Sequence, residues 1–288
     1  MSTSGNSSQD ENTYFIDAEN AAEMARLTVQ DHITTRSMGG LLPELADVSN
    51  IHDILDIACG PGGWLLDIAQ TYPEKRVTGI DVSRLMIEYA GAQARKKGLS
   101  NARFQVMDAL KPLAFADNSF DLVNMRFVVA FMPKAAWPKL LQEALRILRP
   151  GGIIRLTEFE SPVTNSPSLA KLASMLSRSL WQAGQSFSPD GQSLGITMML
   201  ARLLRESGCL DVRQMAHVMD YSIGTEGYAS NYQNVMTLYK LLQPFFVKTG
   251  VTTQEEVNKV YSQALEEMKS EGYTGVIFFL TAWGRKPA

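Results

Sequence analysis

The chain has 288 residues, 45% hydrophobic and 20% charged, which excludes extended disorder and fibrous repeats and leaves room for a large buried core. Lys and Arg total 27 against 30 Asp and Glu, a net charge of -3, so there is no positive field to gather nucleic acid or anionic lipid. Cys59 and Cys209 and the three histidines show no metal-ligand or disulfide spacing, no signal peptide or membrane-length apolar run occurs, and the expected setting is the cytoplasm without a metal.

Residues 1–13 are polar and read as a disordered tail. Asn20 and Glu23 fit a capping box for a first helix, and a second short helix is expected near 33–42, broken at Gly39-Gly40. A short apolar run over 51–58 predicts a strand buried on both faces. Helix follows at 64–72, strand at 76–81, and helix at 83–97 closed by Gly98. Strands are expected at 103–108 and 120–125, a helix at 137–148 ending at Pro150-Gly151-Gly152, and a strand at 153–159. Strands alternating with helices of this length imply right-handed crossovers and a parallel sheet. The second half is mostly helical. Ser168 is a possible cap for a helix bearing Leu169, Leu172, Leu176 and Leu180, and helices are expected at 196–207, 226–242 and about 253–269. Two more strands, 212–222 and 276–283, complete seven.

The reading is thus an α/β fold: a doubly wound, mostly parallel seven-stranded sheet, with a helical cap. The core takes 47–160, 190–222 and 275–288; the cap takes 14–46, 161–189 and 223–274. A connection of about fifty residues between the last two strands is more often functional than filler.

Asp56-Ile57-Ala58-Cys59-Gly60-Pro61-Gly62-Gly63 follows the first strand and opens a helix. Small residues there let a ligand approach the backbone, and the helix N-terminus supplies free N–H groups. A dinucleotide fingerprint would need a third glycine where Leu65 stands, which disfavours a nicotinamide oxidoreductase. No Gly-Lys-Ser/Thr follows for a phosphate loop either.

These residues resemble the class I S-adenosylmethionine-dependent methyltransferases. The resemblance is carried by Leu55-Asp56-Ile57-Ala58-Cys59-Gly60-Pro61-Gly62, Gly79-Ile80-Asp81-Val82-Ser83, Met107-Asp108-Ala109, Asp121-Leu122-Val123-Asn124 and Leu148-Arg149-Pro150-Gly151-Gly152. It spans about 51–159 and implies a Rossmann-like methyltransferase fold that binds S-adenosylmethionine and releases S-adenosylhomocysteine. Ala58 stands where the family usually has its first glycine. Asp81, about twenty residues beyond Gly60, is placed to accept from the ribose hydroxyls. Asp108 would accept from the adenine amine, with the Ala109 N–H near the ring and Val82 and Met86 beside it. The resemblance sets Asp56, Ala58, Gly60 and Gly62 at the methionine end with Asn124 and Arg126 nearby. Tyr14 is expected to close over the cofactor. Taken singly, each acidic residue also reads as a helix cap or solvated turn, and Met86 as core.

The expected reaction is an in-line displacement that moves a methyl group to a small, hydrophobic or aromatic acceptor under a helical lid. His32 and Glu158 are the candidate general bases, with a surface histidine and a turn cap as their ordinary readings. Phe131, Trp181 and Tyr232 are candidate acceptor contacts. This resembles the small-molecule methyltransferases of quinone, sterol and secondary metabolism. Nucleic-acid methylation is disfavoured, because Asn124-Met125-Arg126-Phe127 is not the Pro-Pro-aromatic motif that orients a flipped base. No membrane partner is expected, and the oligomeric state is open. A cofactor-binding protein or cyclase that transfers no methyl is the alternative.

Overall fold

The structure is a computed structural model that describes residues 15–288. The expected tail and Tyr14 lie outside those residues.

Asp53–Ile57 (β1) is short, and its last four residues are all buried. Gly63–Thr71 (α2), Arg76–Asp81 (β2), Arg84–Lys96 (α3) and Ala102–Val106 (β3) follow. Phe120–Arg126 (β4), Trp137–Ile147 (α4) and Leu148–Phe159 (β5) complete a parallel set in the order β3-β2-β1-β4-β5. Gly275–Arg285 (β8) lies antiparallel between β5 and Leu210–Asp220 (β7). This is the doubly wound, Rossmann-like sheet expected, with one reversed strand. An eighth strand was not expected: Val163–Thr164 (β6) extends the line of β5 along β8.

Helix ends follow their side chains. Ser83 caps α3, its Oγ accepting from the Met86 N–H while donating to the Ala18 carbonyl. Pro150-Gly151-Gly152 does not stop α4. It lies inside β5, where the register against β4 shifts as a bulge. Ser166, not Ser168, caps Pro167–Gln182 (α5); the Ser168 hydroxyl donates instead to Glu267.

The N-terminal segment forms one helix, Ala21–Ser37 (α1), rather than two. Asn20 caps it, but Glu23 does not complete the box. Glu23 turns inward and takes the Arg26 guanidinium in two bonds of 2.7 Å. Tyr228–Lys248 (α7) continues through Pro244, beyond the expected end. With Gln254–Met268 (α8) it forms the outer layer: α1 packs on α7, and α5 packs on α7 and α8. No helix among the described residues is long and apolar enough to cross a membrane.

Candidate active site

The C-terminal ends of β1, β2, β3 and β4 open on one cavity of about 290 Å³. Ligands of doubly wound sheets bind at such an edge. Of the expected cofactor residues, Asp56, Ala58, Gly60, Asp81, Val82 and Met86 line it, as do Asp108, Ala109 and Arg126.

The loop after β1 is left-handed at three positions, with φ of +57° at Ala58, +53° at Gly60 and +76° at Gly62. Such a conformation costs an alanine about 1–2 kcal/mol. The loop therefore explains the small residues, and Ala58 is held in a conformation that suits glycine better. Gly62 does not line the cavity. A Cβ there would sit 2.7 Å from the Phe104 ring and 3.0 Å from the Ala90 Cβ, so this glycine serves helix–strand packing. Gly79 does the same under α2: a Cβ would meet Leu65 and Phe104, each at 2.8 Å. Leu65 is fully buried over that gap.

Asp81 is the hinge of the loop. Its Oδ2 accepts from the Gly60 N–H and its Oδ1 from the Ser83 N–H, both at 2.9 Å. Burial raises its pKa, against these backbone donors, which lower it. Asp108 accepts from the Leu110 N–H at 2.9 Å and lies 3.4 Å from the Lys111 ammonium, which also lines the cavity.

Asp56, Asn124 and Arg155 are register neighbours on β1, β4 and β5. Asn124 itself is fully buried and does not reach the cavity. Its amide donates to Asp56 and its oxygen accepts from Arg155, each at 2.7 Å, and Arg155 pairs with buried Glu44. Burial pushes Asp56 up to about 7, with Asn124 and Arg155 opposing. Cys59 is raised well above the ordinary thiol range, first by burial and then by Asp81 and Asp56, so it is no thiolate nucleophile.

Arg126 pairs with Asp31 and donates to Thr35 Oγ1 at 3.1 Å. Burial, and then Arg155, lowers it to about 9, so it stays cationic at neutral pH. The Asp31 carboxylate fills the space beside Gly63 at the start of α2, where a negative charge is favoured. Both guanidiniums, of Arg126 and Arg155, stack on Trp64, at 5.7 and 5.9 Å from the ring centre.

The far wall is apolar. Phe127, Phe131, Phe159, Leu176 and Leu238 line it. Phe127 has φ +59°, a strained position at the end of β4, and its ring lies edge-on to Phe159 with centres 5.5 Å apart. Phe15 and Ala18 also line the cavity, and Phe15 stacks on Phe245 of α7 at 5.6 Å.

Several expected residues lie elsewhere. His32 does not line the cavity; α1 turns Leu27, Gln30 and Asp31 into it, and the next residue is rotated away. Glu158 is buried at the back of β5, accepting from the Val129 N–H at 3.0 Å, and burial raises its pKa far above the carboxylate range. That makes it a brace for the turn that carries Phe127 to Phe131, not a base facing the cavity. Trp181 is 44% exposed and packs over Gly191. Tyr232 rests on Tyr228, outside the lining. Conversely, Arg26, Gln30 and Asp31 were missed. Their i, i+4 and i+5 positions share a polar face of α1 that an apolar-stripe search passes over. Phe127 and Phe159 were missed although both stand at strand ends, the rule that found Asp56 and Asp81. Among the described residues no group of three or more His, Cys, Asp or Glu is arranged to hold a metal.

Residues 54–152 match a family model described as a methyltransferase domain. A probable methyltransferase, ltbC, from Aspergillus luteorubrus is 33% identical over 133 residues, 44% of this chain and 47% of that protein. A demethylmenaquinone methyltransferase from Lactococcus lactis is 30% identical over 122 residues, 42% of this chain and 47% of that protein. The chain spans about half the length of these relatives. Among solved structures, YcgJ from Bacillus subtilis has a TM-score of 0.56 at 18% identity, over 88% of this chain and 99% of that one. Haemonchus contortus phosphoethanolamine N-methyltransferase 2, solved with phosphomonomethylethanolamine and S-adenosylhomocysteine, gives 0.57 at 17% identity, over 95% of this chain and 60% of that one. These last two likenesses concern the fold.

Proposed function

We propose that this chain, whose residues 54–152 match a methyltransferase domain, is a class I S-adenosylmethionine-dependent methyltransferase that transfers a methyl group to a small apolar or aromatic acceptor. The observation that carries the reading is one cavity with acidic strand ends on one side and phenylalanines on the other. The acidic side fits S-adenosylmethionine: an amine, hydroxyls and an ammonium all seek acceptors, and Asp108 just beyond β3, Asp81 at the end of β2 and Asp56 on β1 follow one another in the sheet order β3-β2-β1. When bound, the cofactor supplies an electrophilic methyl on a cationic sulfur.

The protein's own part is to bind, align and exclude water. Asp81 is fixed by two backbone N–H groups, and each of its oxygens keeps a lone pair for a ribose hydroxyl. Met86, Val82 and Ala109 would flank the adenine. Asp56, oriented by Asn124, would take the ammonium. Phe127, Phe131 and Phe159 would hold the acceptor's apolar face, while the Phe15–Phe245 stack closes the rim. With His32 and Glu158 both outside the lining, alignment rather than a dedicated base drives the transfer.

Leu65, packed over Gly79, works against the nicotinamide alternative. A cytoplasmic setting and a place in secondary metabolism are part of the same proposal; free Cys59 and Cys209 suit a reducing compartment. The test is calorimetric titration with S-adenosylmethionine, then mass spectrometry of acceptor mixtures. A methylated product with stoichiometric S-adenosylhomocysteine supports transfer. Cofactor binding without either product over a broad acceptor panel would favour a cofactor-binding protein or cyclase instead.

A further inference from the structure

Behind the main cavity lies a second one of about 60 Å³. Phe159, Leu176 and Leu238 line both, so the two are separated by side chains alone. A polar link crosses the same partition. Arg26, which lines the outer cavity, donates to Asn234, which lines the inner one, at 2.9 Å.

The inner cavity is lined mostly by apolar side chains, with Ser161, Tyr221, Asn231, Asn234 and Tyr239 as its polar members. Asn231 lines it, is only 4% exposed, and its amide has no partner among the described residues. Tyr239, 3% exposed, also lines it, and its hydroxyl makes no hydrogen bond among the described residues. A cavity-lining amide and phenol without protein partners are each free to hydrogen-bond a polar group placed in the cavity. No charged side chain among the described residues lines this cavity, and burial raises the Tyr239 phenol further above neutral pH. Roughly 10–15 Å³ accommodates one water-sized group, so the space takes about four to six.

We infer that the inner cavity is a tail subsite for the acceptor: an apolar chain or ring passes between Leu176 and Leu238 and ends in an uncharged hydroxyl or carbonyl held by Asn231 and Tyr239. The assignment rests on the methyl-transfer reading for what occupies the outer cavity. It restricts the acceptor class. A charged tail would enter a site without a counter-charge, and a purely hydrocarbon tail would leave Asn231 unsatisfied.

The test uses two probes of equal length, 4-hexylphenol and 4-(5-hydroxypentyl)phenol, titrated into the protein with and without saturating S-adenosylhomocysteine. The wild type is expected to favour the hydroxyl-ended probe at least threefold, although it is the less hydrophobic. Asn231→Leu is expected to reverse the preference, and Tyr239→Phe to reduce it. Ala173→Leu, which narrows the inner cavity alone, weakens both probes at least tenfold while leaving S-adenosylhomocysteine affinity unchanged. A wild-type preference for the hexyl probe, or no binding of either probe, overturns the subsite. A protein that binds the probes in this order but not S-adenosylhomocysteine keeps the subsite and loses the methyl-transfer reading.

Discussion

Asn124 stands directly opposite Asp56 in adjacent parallel strands, and its amide donates to the Asp56 carboxyl at 2.7 Å. The Arg155 guanidinium fixes which way that amide points, because it occupies the Asn124 oxygen from the other side. Glu44 holds Arg155 in turn, so the segment after α1 reaches the cavity-lining Asp56 carboxyl through a chain of three bonds. A residue silent in the cavity lining thus sets the orientation of one that is in it.

The first prediction concerns pH. Burial raises Asp56 from 3.8 to about 7. The protonated form cannot pair with an ammonium, so cofactor affinity should climb as pH rises toward 7, by up to about tenfold per unit. Stability runs the other way. With the folded pKa above the unfolded one, the contribution is fully present below about pH 4 and is lost as pH rises through about 7. Calorimetric titrations and melting curves between pH 5.5 and 7.5 check both slopes. Asp56→Asn should flatten them, and an unchanged binding slope in that variant would remove Asp56 from the ammonium site.

Asp81 separates binding from scaffolding. Asp81→Ala leaves the Gly60 and Ser83 N–H groups without their acceptor, costing about 1–3 kcal/mol for each donor left unsatisfied. Its loss of cofactor affinity is therefore ambiguous. Asp81→Asn keeps one acceptor oxygen. We expect it to melt within a few degrees of the wild type yet bind the cofactor at least tenfold more weakly. Full affinity in Asp81→Asn would assign the carboxylate to the loop alone.

Leu65 tests the nicotinamide alternative directly. Leu65→Gly creates the missing third glycine of the dinucleotide fingerprint. Because Leu65 is fully buried over Gly79, the change opens a void and places glycine inside α2. Loss of about 3–5 kcal/mol is expected from the cavity and the helix penalty together. NAD should not bind at millimolar concentration. A stable variant with micromolar NAD affinity would show that the loop is a dinucleotide site lacking only one residue.

The sheet was legible because its strands recur between helices, with β1 and β4 as short buried apolar runs. The acidic strand ends were legible for the same reason: β1, β2 and β3 end at or one or two residues before Asp81 and Asp108 or carry Asp56 near the end. The cap was less so. Residues 20–37 carry a buried polar face, Glu23, Arg26 and Thr34, so no apolar stripe announced one continuous helix. Trp181 and Tyr232 looked like acceptor contacts by residue type. Whether an aromatic on α5 or α7 faces the cavity depends on how those helices pack on α1 and α8, which local periodicity does not specify. Gly62 read as a ligand glycine because spacing cannot tell a ligand's approach from that of Phe104 on β3.

The last prediction sets His32 against its neighbour. α1 places Asp31 in the cavity and rotates His32 about 100° away. His32→Ala should therefore leave cofactor affinity and turnover, on an acceptor found by the mass-spectrometric screen, within about twofold of wild type. Asp31→Asn should not be silent. It removes the counter-charge from Arg126, whose side chain is 10% exposed, and breaking a buried pair from one side costs about 3–5 kcal/mol. The remaining exposure of both groups puts the expected loss at the lower end, about 3 kcal/mol, with turnover reduced at least tenfold as Arg126 loses its position beside Phe127. Arg126→Gln combined with Asp31→Asn should recover part of the stability, since the stranded cation is gone, but not the turnover. A tenfold loss in His32→Ala with a silent Asp31→Asn would mean that α1 presents its other face to the acceptor.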